Sequence, residues 1–258
     1  MSSNGYGPTF GKWKNQGKWK NQGKPVASKS PTRIANDARL LARIQKQVPI
    51  EHTSTTIAGH EYPWTRVVDP DSLLLSALSK SREGTVELDP FWAASWRAAQ
   101  GLDTFLGTLD SLNGVRILEL GGGSGRAGIS AGIRGAEVLI TDAVPTALMV
   151  CRFNARQVAE KVQVRLLDWR DRTTRLEPFP IIIGSDIVYD HKLFAILEPC
   201  MRRHLAAGGV AYLSEPQRHT GDRFEKWIGA AGWKCSSSFV DLEDGQRQIR
   251  IFTCRLEG

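Results

Sequence analysis

The chain has 258 residues, 41% apolar and 24% charged, proportions typical of a folded protein with ample length for a buried core. No apolar run approaches the ~18 residues of a membrane-spanning helix. The net charge of +7 lies wholly in residues 1–36, which hold six lysines, Arg33 and no acid, so the remainder of the chain is neutral overall.

Residues 1–36 are also repetitive, with GKWKNQ at 11–16 and again at 17–22. Two short polar copies cannot build a core, so the expectation is a disordered basic tail. Its lysines, with Trp13 and Trp19, suit contact with acidic surfaces or nucleic acid. The domain proper is expected over 37–258, with an N-terminal extension at 37–110 and the core at 111–258.

A helix is predicted from Ile34 to about Val48, where Ile34, Leu40, Leu41 and Ile44 fall near helical spacing. From Pro49 to Val68, β-branched and aromatic residues broken by "AGHEYP" read as a hairpin. Asp71 or Ser72 is placed to cap a short helix carrying Leu73, Leu74, Leu75 and Leu78. In "ELDPFWAASWRAAQGLDTFLG", Asp89 and Pro90 suit an N-cap and first helical position, and one helix would bring Phe91, Trp92 and Trp96 together.

From Val115 the pattern changes. "VRILEL", "AEVLIT", "VQVRLL", "PIIIGSD" and "GVAYLS" read as strands, separated by helical stretches near 124–133, 144–158, 190–207 and 219–231. Alternation of this kind implies a mostly parallel sheet covered on both faces. "WKCSSSFVD", "LEDGQ" and "RQIRIFTCRL" close the chain as two strands joined by a turn. The expected fold is α/β, a Rossmann-like doubly wound sheet of seven strands with a terminal antiparallel hairpin. The four cysteines, Cys151, Cys200, Cys235 and Cys254, form no C-x-x-C pair. Reduced thiols in a cytoplasmic protein are expected rather than a disulfide scaffold or a metal site.

"ILELGGGSGRAG", residues 117–128, packs five glycines between a strand and a helix, where backbone N–H groups can face a ligand. Two registers are legal. Gly123, Gly125 and Gly128 make G-x-G-x-x-G, the dinucleotide fingerprint, whereas Glu119, Gly121, Gly123 and Gly125 make E-x-G-x-G-x-G, the pattern of S-adenosylmethionine sites. A carboxylate at Glu119 beside the cavity would repel a pyrophosphate and favour the cationic methyl donor; the alternative is an ion pair with Arg116 or Arg126. Asp142, 21 positions after Gly121, ends the next strand where an acid can accept from both ribose hydroxyls of either ligand. Asp168 and Trp169 end the third strand, suited to an adenine amine and its ring. On the fourth, "SDIVYD" places Asp186 and Tyr189 where a carboxylate would orient an amine; alternatively, Asp186 caps the next helix.

Taken together, "DPFWAASW", "ILELGGGSG", "LITDA", "LLDW" and "SDIVYD" resemble, in order and spacing, the seven-β-strand protein-lysine methyltransferases of family 16. "DPFWAASW" also looks like the branch acting on the electron-transfer flavoprotein β subunit. The resemblance covers about residues 60–256. It implies S-adenosyl-L-methionine as cofactor, held by Trp96, Glu119, Gly121, Gly123, Gly125, Asp142, Asp168 and Trp169, with Asp186 and Tyr189 as catalytic residues beside the target lysine. Asn154 matches a recurrent family asparagine more loosely. Arg126 and Arg97 depart from the pattern, standing where relatives have an apolar residue and a proline. The implied function is N-methylation of a lysine in a protein substrate, the alternative being a small-molecule or RNA methyltransferase on the same fold.

Overall fold

The computed structural model describes residues 31–73, 75 and 90–257. Both GKWKNQ copies lie outside these residues, as do Leu74, Leu78 and Asp89. Helix α1, Pro31–Gln45, starts ahead of the expected Ile34, so residues 31–36 are helix rather than tail. It buries Ile44 with Val48, Val150 and Phe153.

Strands β1, Ile50–Ile57, and β2, His60–Val67, form the expected hairpin. The turn is only Ala58-Gly59, both at positive φ (54° and 80°), as a two-residue hairpin loop requires. His60–Pro63 therefore continue as strand, and Pro63 faces Ser54 in a ribbon that has two strands among the described residues. The strained Ala58 is held from outside, its N–H donating to Asp103 Oδ1 at 3.1 Å. Farther on, the cap of the short helical segment from Pro70 is Asp69, not Asp71 or Ser72. Its carboxylate accepts from the Ser72 N–H at 3.0 Å and from the Ser72 hydroxyl.

The single helix expected over Phe91–Trp96 is broken in two. Pro90–Ala93 is a 3-10 turn, and helix α2, Arg97–Leu106, begins only after Trp96, whose extended backbone (φ −89°, ψ 135°) makes it the N-cap. The aromatic grouping survives by another route: the Trp96 indole N–H donates to the Phe91 carbonyl at 2.8 Å, and the two rings meet edge to face at 5.9 Å.

The sheet then follows in chain order: β3, Arg116–Leu120; α3, Arg126–Ile133; β4, Glu137–Asp142; α4, Pro145–Asn154; β5, Val162–Leu166; β6, Phe179–Ser185; α5, Phe194–His204; β7, Leu205–Glu215; α6, His219–Ala230; β8, Trp233–Val240; β9, Ile249–Leu256. Strand order is β5-β4-β3-β6-β7-β9-β8. The pairs among β3 to β7 are parallel, while β9 runs antiparallel to both β7 and β8. This is the expected doubly wound sheet with a terminal hairpin.

Alternation along the strands sorts the core into two layers. Ile117, Ile181, Ile183, Val210, Tyr212, Ile249 and Ile251 pack beneath α2, α3 and the β1–β2 hairpin. Leu118, Leu120, Ile182, Leu213 and Phe252 pack against α5 and α6 through Phe194, Leu197, Phe224 and Ile228. Strand order reverses between β3 and β6, so their carboxyl ends splay and open a crevice, the place where such sheets bind ligands.

Candidate active site

A cavity of about 810 Å³ occupies that crevice. Its floor is the loop after β3, and its walls are the ends of β4 and β6, the segment after β5, the turn at Phe91–Trp96 and one side of the β1–β2 hairpin. Of the residues singled out in the sequence, Trp96, Gly121, Gly123, Asp142, Asp168, Trp169, Asp186 and Tyr189 all line it. Glu119 and Gly125 do not.

The loop is bare backbone for a steric reason. Gly121, Gly123 and Gly125 all have positive φ (62°, 53° and 94°). A Cβ on Gly121 would stand 2.8 Å from Ile187 and 3.1 Å from the Trp169 ring, and one on Gly123 would stand 3.2 Å from the Trp92 carbonyl. The cradle between Trp169, Ile187 and Trp92 therefore exists because side chains are missing. Gly125 serves packing instead: it is the N-cap of α3, and the buried Cys151 thiol fills the place of its side chain.

Glu119 requires a correction. It is fully buried beneath the loop rather than beside the cavity, and it pairs with neither Arg116 nor Arg126. Its Oε2 accepts from the Gly128 N–H at 2.9 Å, while Oε1 has no hydrogen-bond partner among the described residues. Burial is the main cause that pushes its carboxyl up to about 8, with the Gly128 hydrogen bond opposing and the charge of Asp142 reinforcing. A carboxyl neutral near pH 7 cannot repel a pyrophosphate, so its charge does not choose between the two ligands. Another feature argues against an anion there: the Gly123 N–H already donates to Asp142 Oδ2 at 2.9 Å.

Asp142, at the end of β4, also accepts from the Val144 N–H at 2.8 Å through Oδ1. Asp168 is gripped by a fork from Arg170 (2.9 and 2.6 Å), and this pairing holds its carboxyl below the usual range. Trp169 beside it lies against the Gly121 backbone.

On the acceptor side, Asp186 follows β6 with φ 55°, a left-handed conformation uncommon outside glycine. It does not cap the next helix. That cap is Asp190, which accepts from the Lys192 N–H at 2.9 Å. The Asp186 carboxylate is instead ion-paired with Arg218, whose Nη2 donates to Oδ2 at 2.9 Å. Tyr189 meets Phe91 edge to face at 5.5 Å.

Four features of the site were not anticipated. The hairpin supplies part of the wall through Thr53, Ser54, Thr55, Trp64 and Arg66. Asn154 is a clamp outside the cavity: its Oδ1 accepts from the Thr65 N–H at 2.9 Å, and its Nδ2 donates to the Thr65 and Ser124 carbonyls, both at 3.1 Å. It thereby ties the hairpin to the loop, and the Tyr62 hydroxyl donates to its carbonyl at 2.7 Å. Arg126 reaches the hairpin as well, with Nη1 donating to Thr55 Oγ1 at 3.1 Å and Nη2 to the Thr56 carbonyl. Arg97 forks onto Asp244 (2.8 and 2.6 Å), fastening α2 to the β8–β9 turn.

A family model described as lysine methyltransferase matches residues 90–228. Protein-lysine N-methyltransferase rrg1 of Schizosaccharomyces pombe is 31% identical over 194 residues, covering 67% of this chain and 64% of that protein. Protein N-lysine methyltransferase METTL21A of Danio rerio is 33% identical over 213 residues, covering 72% of this chain and 94% of that protein. Among solved structures, the glycopeptide N-methyltransferase MtfA complexed with S-adenosyl-L-methionine superposes with a TM-score of 0.52 at 15% identity, covering 62% of this chain and 92% of that one. That likeness concerns the fold.

Proposed function

The chain belongs to the lysine methyltransferase family, and from that premise we propose that it methylates the side-chain amine of a lysine in a protein substrate, with S-adenosyl-L-methionine as donor. The observation that carries the reading is one cavity lined by both a nucleoside-type wall, Asp142 with Asp168 and Trp169, and an acceptor-type wall, Asp186 with Tyr189.

The residues present fit the donor. A volume of about 810 Å³ is in the range of cofactor sites. Four carboxylates on the wall, those of Asp142, Asp168, Asp186 and Asp190, suit a ligand carrying an ammonium and a sulfonium, and the glycine cradle leaves room for it against the Trp169 ring. Asp142 would hold the ribose hydroxyls, Asp168 and Trp169 the adenine, and the Gly121–Gly123 backbone the amino-acid end. Arg66, on the hairpin wall, is ion-paired with Glu51 at 2.6 Å, so a ligand carboxylate would have to share it. Bound there, S-adenosylmethionine supplies an activated methyl group on a leaving sulfur that departs uncharged. The chain's task is to align the amine with that methyl group, and positioning of this kind accounts for a large part of a barrier. Asp186 accepts from the amine and orients it, and the Tyr189–Phe91 pair shields the approach from water. Glu119 and Gly125 support the site from below without touching the ligand.

The test is a pair of measurements on the purified chain. Titration calorimetry is expected to detect S-adenosylmethionine binding and no NADH binding. Asp186→Ala is expected to keep donor binding and lose methyl transfer. Tight NADH binding without donor binding, or full transfer by Asp186→Ala, contradicts the reading.

A further inference from the structure

We propose that Arg218 is a positioning residue for methyl transfer: it locks the Asp186 carboxylate and cancels its charge, so that Asp186 can orient the acceptor amine without keeping it protonated. This rests on the reading of Asp186 given above.

A lone carboxylate at the acceptor position is a mixed asset. It gives the amine a fixed acceptor, yet its negative charge stabilises the ammonium, which has no lone pair with which to attack. The arrangement around Asp186 resolves this conflict. Its carboxylate is 5% exposed and bound by both prongs of the Arg218 guanidinium, one of them at 2.9 Å. The pair is neutral as a unit, while a fork-bound carboxylate keeps lone pairs for a further donor.

Geometry separates the roles of the two partners. Asp186, with Ser95 and Trp96, lines both the 810 Å³ cavity and a smaller neighbouring one of about 330 Å³, whereas Arg218 lines only the smaller one, with Pro216, Arg97 and Arg247. Arg218 thus binds Asp186 without itself lining the larger cavity, and acts through it. Its own position is over-determined. It is the N-cap residue of α6, and its N–H donates to Glu215 Oε2 at 2.6 Å. Its guanidinium lies 5.8 Å from the Trp96 ring centre. Glu215, 1% exposed, is paired in turn with Arg250 at 2.9 Å, and Arg250 with Asp222 at 2.7 Å. Asp186 itself is held at φ 55° by its N–H bond to the Ser214 carbonyl at 2.8 Å, and the Ser214 hydroxyl is fixed to the Ala98 carbonyl at 2.8 Å. Backbone strain of this kind persists only where the surroundings impose it.

The other charges facing the acceptor position are mostly compensated in place. Glu215 is matched by Arg250, Arg97 by Asp244, and Asp168 by Arg170. Asp190 stands 3.5 Å from His191. Lys192 lines the larger cavity, and Arg247 the smaller. Removing the Arg218 guanidinium would therefore leave Asp186 as the newly uncompensated charge next to the amine.

The experiment compares full-length wild type, Arg218→Met and Arg218→Lys. Cell-extract protein serves as acceptor, tritiated S-adenosylmethionine as donor, and initial lysine methylation is followed from pH 6.5 to 9.5. Arg218→Met is expected to keep its donor dissociation constant within about twofold and to lose about tenfold or more in rate below pH 8. The rate should recover at high pH, because the acidic limb of the profile moves up by about one pH unit or more. Arg218→Lys is expected to restore the limb but not the full rate, since an ammonium supplies the charge without the fork. An Arg218→Met profile parallel to that of wild type, at whatever rate, overturns the proposal. If Arg218→Met fails to fold, Arg218→Lys decides: wild-type rate at every pH contradicts the positioning role, and a lower rate with an unmoved limb supports it. Wild type that methylates no lysine at all refutes the functional reading instead.

Discussion

Glutamine at position 119 would keep the shape of Glu119 and the bond from the Gly128 N–H while removing the titration, which isolates one electrostatic consequence of the glycine loop. In the unfolded chain this carboxyl loses its proton near 4.5; folded, burial pushes that point up to about 8. Between these values the folded state holds one proton more than the unfolded state. Stability from this residue is therefore fully present below pH 4.5, falls as pH rises toward 8, and is level above it. At about 1.4 kcal/mol per pH unit, the rise from 4.5 to about 8 sets an upper limit of about 5 kcal/mol. A buried amide N–H2 without an acceptor costs the variant about 1–3 kcal/mol at every pH, so the slope carries the information and the offset does not. The assay is urea unfolding of Glu119→Gln and wild type without donor, from pH 5 to pH 9. The variant is expected to gain several kcal/mol on wild type between pH 5 and 8, then run parallel. Parallel behaviour over the whole range would mean that Glu119 ionises as an exposed acid does, and that its placement beneath the loop is wrong.

Other expectations follow from the same contacts. Asp142→Ala removes the acceptor of the Gly123 and Val144 N–H groups as well as the proposed ribose acceptor, and should weaken S-adenosylmethionine binding about 10- to 100-fold by calorimetry; a change below threefold would remove it from the binding site. Asn154→Ala frees the Thr65 N–H and two carbonyls in a buried place and should cost about 2–4 kcal/mol in urea unfolding; unchanged stability would refute the clamp. Gly123→Ala places a Cβ 3.2 Å from the Trp92 carbonyl at φ 53°. It should cost about 1–2 kcal/mol of stability and a larger share of donor binding, and a variant that binds as wild type does would show that the cradle is not the contact surface.

The sheet was legible because its inner strands β3, β4, β6, β7 and β9 are largely buried and read as apolar runs, while the helices between them carry their own period. Strands and the final hairpin therefore emerged in order, as did the glycine loop and the acids at the strand ends, which sit at fixed offsets from those runs. What escaped depends on contacts between residues far apart in sequence. Nothing local marks Trp96 as an N-cap instead of a helical residue; the break follows from its indole bonding back to Phe91. Glu119 reads as a cavity acid because of its distance from Gly121, yet strand alternation turns it beneath α3, where Gly128 lacks a side chain to make room for it. Arg218 lies 32 residues from Asp186 and follows a different strand, so only the sheet order brings them together. The same holds for the hairpin wall, which Asn154 fastens to the loop across 89 residues.

The central claim is a transfer of methyl from S-adenosylmethionine to protein lysine. Its most direct test is incubation of the purified chain with tritiated donor and a cell extract, followed by acid hydrolysis of the labelled fraction and chromatography of the amino acids. Label is expected in methylated lysine from one or a few proteins, dependent on the intact chain and lost with Asp186→Ala. Label confined to RNA or to small molecules, or found in methylated residues other than lysine, would contradict the account.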